Sequence, residues 1–312
     1  NGANAAKFQN FFAKSIVSDE GFKKLKKLSH QSKWRKSVFQ VYKNAEVPIE
    51  WTEILSNACK KYKVDFFTTP YDFNIPKKIN KYVSAWKVGS GDITWHQHVL
   101  NLAKFKKPIL IATGAANFKE VNEIYKKVKK LNKKIVIMQC NTNYTAKKEN
   151  FKYINLNVIK EYKRKFPESI IGLSDHTLGH ETVLGAIALG ARVIEKHFTN
   201  NNRLKGPDHH FSMNPRTWKE MIEASRNLEL SLGSSKKKIE KNEMETVIIQ
   251  RRSLRYKRPF KKGYKININS DIDILRPCPR NSFEIFNIKK LHNKKLSKNV
   301  LFHENVKKSD FK

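Results

Sequence analysis

The chain has 312 residues, 39% of them hydrophobic, and carries 63 Lys and Arg against 28 Asp and Glu, a net charge of +35. Such a chain is long and apolar enough for one large α/β domain with a smaller companion, which excludes disorder throughout, and no apolar run approaches the length of a membrane span. Its three cysteines, Cys59, Cys140 and Cys278, lie far apart without CxxC spacing; this argues against a disulfide framework or zinc site and fits a reducing cytoplasm.

Strand-like apolar runs are expected at 5–9, 65–69, 86–90, 108–113, 134–139, 170–175 and 192–198. Most are nearly continuous, as befits strands buried on both faces. Amphipathic stretches between them predict helices, for example at 47–62, 118–131, 157–165 and 182–189. Asn117 or Thr113 is placed to cap the second of these, and Gly190 to end the last. This alternation points to a parallel α/β sheet.

Seven strands are countable, and a (β/α)8 barrel needs eight. Residues 1–8 have the same form as residues 189–196, a helix end running into a strand. The expected fold is therefore a (β/α)8 TIM barrel over residues 1–235 lacking its first βα unit in this chain, with a doubly wound open sheet as the alternative. A charged linker at 236–246 leads to a small β-rich module at 247–312. Strand-like pieces are expected there at 247–254, 265–268 and 272–275, set apart by turns such as Lys262-Gly263-Tyr264 and Arg276-Pro277-Cys278-Pro279.

A positive balance of this size raises nucleic-acid binding, but a binding face needs clustered charge. Here lysines recur throughout, as at Lys23-Lys24, Lys126-Lys127 and 236–238. The excess reads better as a general field that attracts small anions.

Barrel active sites gather at the carboxyl ends of strands. Those ends supply Lys7 and Gln9, Thr69, Lys87 with Ser90 and Asp92, Thr113-Gly114, the run from Gln139 to Tyr144, Ser174-Asp175-His176, and His197. Lysines and hydroxyls beside glycines suit a phosphate or carboxylate. A lone histidine is more often a hydrogen-bonded core residue than a ligand, but His176 and His197 close neighbouring late strands. Two imidazoles on one rim can hold a divalent metal. Asp208, in Gly206-Pro207-Asp208, reads equally as an Asx-turn residue or as a substrate ligand or base. His96, His98, His180, His209 and His210 read as structural or solvent-facing.

These motifs, in this order, resemble the sialic acid (N-acetylneuraminate) synthase family. The resemblance is carried by Lys7-Phe8-Gln9, Thr69-Pro70, Lys87-Val88-Gly89-Ser90-Gly91-Asp92, Ala112-Thr113-Gly114, Gly172-Leu173-Ser174-Asp175-His176-Thr177, Glu195-Lys196-His197-Phe198-Thr199, Gly206-Pro207-Asp208 and Ser212-Met213-Asn214-Pro215. In the C-terminal module, Arg251-Arg252-Ser253-Leu254, Lys262-Gly263 and Leu275-Arg276-Pro277 resemble the family's SAF (antifreeze-like) domain.

The resemblance implies a transferase that condenses phosphoenolpyruvate with N-acetylmannosamine, or a related N-acylated hexosamine, to give N-acetylneuraminate and phosphate. It implies a swapped homodimer with Mn2+ or Mg2+ held by His176 and His197. It assigns phosphoenolpyruvate to Lys7, Thr69, Lys87, Ser90 and Ser174, the sugar to Gln9, Tyr144, Asp208 and Arg276, and catalytic roles to Lys87, Asp92, Tyr144 and Asp208. Legionaminic or pseudaminic acid synthesis is the close alternative; a basic nucleic-acid-binding protein or an inactive fragment are the remote ones. The sequence also departs from the family pattern. The family's Ile-Gly-x-Asn-His-like first strand, with its preceding carboxylate, is absent. Asp92 stands where glutamate is common, Ala112 where serine is, and Thr142 and Thr145 where asparagine and proline are.

Overall fold

The computed structural model describes residues 1–25, 31 and 34–311 and divides into two compact units, Asn1–Gly233 and Ser234–Lys312. The first unit runs β1 (Ala5–Asn10), α1 (Ala13–Ile16), α2 (Asp19–Lys24), α3 (Val38–Asn44), α4 (Trp51–Lys61), β2 (Asp65–Pro70), α5 (Ile75–Ile79), β3 (Trp86–Val88), α6 (His96–Ala103), β4 (Ile109–Ala112), α7 (Phe118–Lys129), β5 (Ile135–Cys140), α8 (Val158–Lys165), β6 (Ile170–Asp175), α9 (Glu181–Ala188), β7 (Val193–Lys196) and α10 (Pro215–Leu232). All seven expected strands are present, in sequence order in one parallel sheet.

The period of two along each strand sorts side chains into two layers. Phe66, Trp86, Val88, Ile109, Ile111, Ile135, Ile137, Ile171 and Leu173 share one core with apolar residues of the covering helices, such as Leu102 of α6, Ile124 of α7 and Ile159 of α8. The alternate positions, among them Ala85, Leu110, Val136 and Met138 with Phe67 and Val193, form a separate smaller cluster. That second face is concave. Seven strands spaced about 4.8 Å apart would separate β1 from β7 by roughly 29 Å if flat. Yet Lys7 of β1 reaches Glu195 of β7 at 2.9 Å. The sheet is therefore curled into an incomplete barrel. Among the described residues, β1 and β7 each hydrogen-bond to a single neighbour.

Local signals set the helix ends. Asn117 accepts from the Glu120 N–H while the Glu120 side chain takes the Asn117 N–H, a capping box that starts α7. Thr113, the other candidate cap, instead donates to the Met138 carbonyl. Gly190, at φ +98°, closes α9: its N–H reaches the Ile187 carbonyl and the Ala191 N–H reaches that of Ala186.

In the second unit, β8 (Ser253–Tyr256) pairs antiparallel with β9 (Ile272–Leu275) over a core that includes Leu254, Tyr256, Phe260, Ile272, Leu296 and Val300. Two expectations are corrected. The run 247–254 is not one strand: its first part belongs to α11 (Met244–Gln250), which begins inside the stretch expected as linker, and only Ser253 and Leu254 enter β8. Residues 265–268 form no strand, contributing one bridge between Lys265 and Lys295. Among the described residues no helix is long and apolar enough to cross a membrane.

Candidate active site

Above the small inner cluster, the concave face turns polar. One pocket at the carboxyl rim is lined by Lys7, Gln9, Thr69, Lys87, Ser90, Ser174, Tyr144, His176 and His197, nine of the residues expected there. Tyr71, Gly89, Ala112, Asp175 and Glu195 complete it. Lys87 is 3% exposed and Thr69 1%; the Thr69 hydroxyl has no protein partner among the described residues and is free for a ligand. The Ser90 hydroxyl accepts from the Gly114 N–H at 3.1 Å, tying two strand ends together. Gly89 must lack a side chain, because a Cβ there would lie 2.7 Å from the Tyr71 hydroxyl.

Sequence reasoning missed the residue at the centre of this cluster. Glu195 holds both lysines, Lys7 at 2.9 Å and Lys87 at 3.0 Å. Burial pushes its carboxyl up, but the charges and hydrogen bonds of the two ammonium groups outweigh burial and hold it well below the usual carboxylate range. Burial lowers Lys87 from its ordinary value, and Glu195 opposes that fall. The available signal was its spacing: Glu195 lies two residues before His197, hence on the same face of the strand.

The imidazoles of His176 and His197 have ring centroids 5.2 Å apart, with the Tyr144 ring edge-on to both at 4.6 and 6.0 Å. His176 Nδ1 faces the Asn141 carbonyl at 3.1 Å. A carbonyl only accepts, so Nδ1 donates there, and in the neutral ring Nε2 holds the lone pair. His197 Nδ1 faces the Asp208 carboxylate at 3.4 Å, with the same consequence. Burial lowers the pKa of the His176 ring, but Cys140, the Asn141 carbonyl and Glu195 outweigh burial and raise it. A metal–nitrogen bond of about 2.1 Å and a centroid-to-nitrogen distance of roughly 1.1 Å would place two rings sharing an ion about 4.5–5.2 Å apart for bond angles of roughly 90–109°. The ring separation is compatible with a shared divalent ion. Among the described residues no group of three His, Cys, Asp or Glu forms a metal cluster.

Asp208 thus sits against a histidine. Asp92 follows Ser90 on a short 3-10 turn and does not line the pocket; burial pushes its carboxyl up to about 6, and its charge is felt by Tyr42 and Tyr71. Burial raises the Cys140 thiol, but the hydrogen bond and charge of His176, helped by Ser90 and Thr142, bring it down to about 7. Of the histidines read as structural, His98 is buried and bonds the Pro70 carbonyl at 2.7 Å, and His209 bonds Thr199 at 2.7 Å. Arg276 belongs to the second unit, exposed on the loop after β9.

A curled parallel α/β sheet with ammonium, hydroxyl and imidazole groups on its carboxyl rim has the arrangement of a barrel-type enzyme site. The chain belongs to the NeuB family, whose profile matches residues 1–237. It is 34% identical over 269 residues to the N,N'-diacetyllegionaminic acid synthase of Campylobacter jejuni, covering 84% of this chain and 78% of that protein. It is 29% identical over 320 residues to a pseudaminic acid synthase of Campylobacter jejuni, covering 100% of this chain and 89% of that one. The crystal structure of the N-acetylneuraminic acid (sialic acid) synthetase of Leptospira borgpetersenii, in complex with citrate, superposes with a TM-score of 0.65 at 27% identity, covering 78% of this chain and 80% of that one.

Proposed function

We propose that this chain condenses phosphoenolpyruvate with an N-acylated hexosamine to give a nonulosonic acid and phosphate. The observation that carries the reading is the meeting of Lys7 and Lys87 with His176 and His197 in one pocket. Lys7, Lys87, Thr69, Ser90 and Ser174 bind the phosphate and carboxylate of phosphoenolpyruvate, where charge-assisted hydrogen bonds are strongest. Gln9 and Tyr144 face the sugar. His176 and His197 would hold Mn2+ or Mg2+, which when bound would supply Lewis acidity toward the sugar aldehyde. Asp208 orients His197 from its outer nitrogen.

Carbon 3 of the enol attacks the aldehyde carbon, whose oxygen takes up a proton to become a hydroxyl, and positive charge develops at carbon 2. Water adds at carbon 2, giving up a proton, and phosphate then departs with its bridging oxygen, taking the remaining hydroxyl proton as the carbonyl forms. Asp92, with its carboxyl near 6, is the group suited to take that proton at neutral pH, through an intervening water. The lysine pair keeps the charged species in place.

N-Acetylmannosamine is the sugar suggested by the sialic acid synthase motifs. A second reading, a doubly N-acetylated sugar and legionaminic acid as product, is favoured by the 34% identity to the Campylobacter jejuni legionaminic enzyme; pseudaminic acid synthesis stands beside it. In the same reading, the edges of β1 and β7 receive an eighth strand to complete a (β/α)8 barrel, and the second unit is a SAF domain. A partner subunit of a swapped homodimer brings Arg276 to the sugar's acyl-amino group, and the enzyme works in the cytoplasm.

The purified protein should release phosphate from phosphoenolpyruvate only when an N-acylated hexosamine is present, and product analysis with singly and doubly acetylated sugars identifies the acid. Phosphate release with none of them, together with a steeply salt-dependent shift of DNA or RNA, would replace this reading with that of a basic nucleic-acid binder. Arg276→Ala should raise the KM for hexosamine about 10-fold or more, the loss of one charged hydrogen bond, and leave that for phosphoenolpyruvate nearly unchanged. Equal losses for both substrates contradict the assignment of Arg276 to the sugar.

A further inference from the structure

Directly behind the two imidazoles lies a buried ion pair. Lys196 Nζ meets Asp175 Oδ2 at 2.7 Å, and the two side chains are 2% and 1% exposed. The pair is fully hydrogen-bonded. The ammonium also donates to the carbonyls of Thr177 and Gly179, each at 2.8 Å, which uses its three protons. The carboxylate accepts from the Thr177 hydroxyl at 2.8 Å and from the Thr182 hydroxyl of α9 at 2.7 Å.

Its place in the chain is what matters. Asp175 and Lys196 are register partners on β6 and β7, and each immediately precedes an imidazole, His176 or His197. Side chains alternate along a strand, so the pair lies on the helix-facing side while Ser174 and Glu195 face the pocket. A buried pair seldom stabilises a fold more than apolar residues of similar size would; its attested use is to hold one geometry among several. This one draws the ends of β6 and β7 together and wraps the β6–α9 turn, through two of its carbonyls, around a single ammonium.

We infer that the Asp175–Lys196 pair positions His176 and His197, setting the imidazole spacing that a shared divalent ion requires. The inference rests on the two-imidazole reading above and goes beyond it by naming the residues that set the geometry. Asp175 borders the pocket, but its carboxylate is taken up by Lys196, Thr177 and Thr182, so neither side chain of the pair need touch substrate or ion.

The test uses Mn2+ binding to the full chain, with Mn2+ alone as probe, by titration calorimetry or by loss of the free-ion electron paramagnetic resonance signal. In Asp175→Asn with Lys196→Gln, one amide oxygen and one amide NH2 remain on each residue, but the charges, one donor, one acceptor and the reach of the ammonium are lost. Mn2+ affinity should fall about 10- to 100-fold, the range for losing groups that orient metal ligands, and Lys196→Arg should recover most of it. Thr182→Val, close in shape and leaving no charge unpaired, keeps the question answerable if the double variant does not fold: affinity should fall at least about 3-fold. Affinity unchanged from the parent in the folded double variant, or in Thr182→Val if the double variant does not fold, overturns the inference. If the parent chain binds no Mn2+, the two-imidazole reading falls by itself; the positioning role is then judged on crystal structures, where a ring separation still at 5.2 Å in the variants refutes it.

Discussion

Replacing Glu195 with glutamine should make phosphoenolpyruvate use fall off at a lower pH than in the parent. Lys87 is enclosed, and burial lowers its pKa. The charged groups acting on it are the Glu195 carboxylate from β7, which favours the ammonium, the Lys7 ammonium from β1, which disfavours it, and Cys140 from β5. The Glu195→Gln amide would keep the shape and an acceptor oxygen but remove the one full negative charge in contact with both lysines. The sign follows directly: without its counter-charge, the Lys87 pKa falls further, so the ammonium loses its proton at a lower pH than in the parent. Buried lysines without partners can drop by several units. The loss in kcat/KM for phosphoenolpyruvate should be smaller toward acid pH, where the Lys87 ammonium is retained, and should grow toward alkaline pH to about 10²-fold or more, comparable to deleting a donor that stabilises developing charge. Glu195→Asp, which keeps the charge on a shorter arm, should lie between. A basic limb at the same pH in variant and parent would mean that Glu195 does not maintain the Lys87 charge.

That Glu195 escaped the sequence reading, while Lys7 and Lys87 did not, shows what a linear pattern carries. Continuous apolar runs such as Ile135–Cys140 and Ile170–Asp175 announced buried parallel strands, because both faces of those strands are covered. Strand ends then located Lys7, Thr69, Lys87, Ser174, His176 and His197 without knowledge of the curl. But Glu195 acquires its role only when β7 swings round to face β1, and that closure depends on the accumulated twist of seven strands rather than on any local signal. Asp208 is the converse case: its loop was legible as near the site, but nothing in Gly206-Pro207-Asp208 told whether the carboxylate would meet a sugar or His197. In the second unit, Val247-Ile248-Ile249 has the β-branched composition of a strand. A hydrogen-bonded box between Glu240 and Glu243 nonetheless opens a helical turn just ahead of it, and the run continues as α11.

Removing one imidazole is expected to have the largest effect of any single substitution. His197→Ala should lower turnover by about 10³-fold or more, and treatment of the parent with a chelator should cause a comparable loss that Mn2+ or Mg2+ restores. On the proposed two-imidazole site, loss of one ring would leave a single imidazole that cannot compete with water for a hard divalent ion. The outer-nitrogen contacts sharpen this. His176 and His197 each turn Nδ1 to an acceptor, Asn141 and Asp208, so that in the neutral rings Nε2 is the atom that would bind an ion. His197→Gln, able to offer an amide oxygen from a nearby position, should regain part of the activity only at raised metal concentration. Asp208→Asn should weaken metal affinity less than His197→Ala does, because it disturbs orientation and leaves the ligand in place. Full activity of His197→Ala after chelation and restoration of the metal would remove His197 from the metal's coordination and, with it, the physical basis for placing the aldehyde between the two rings.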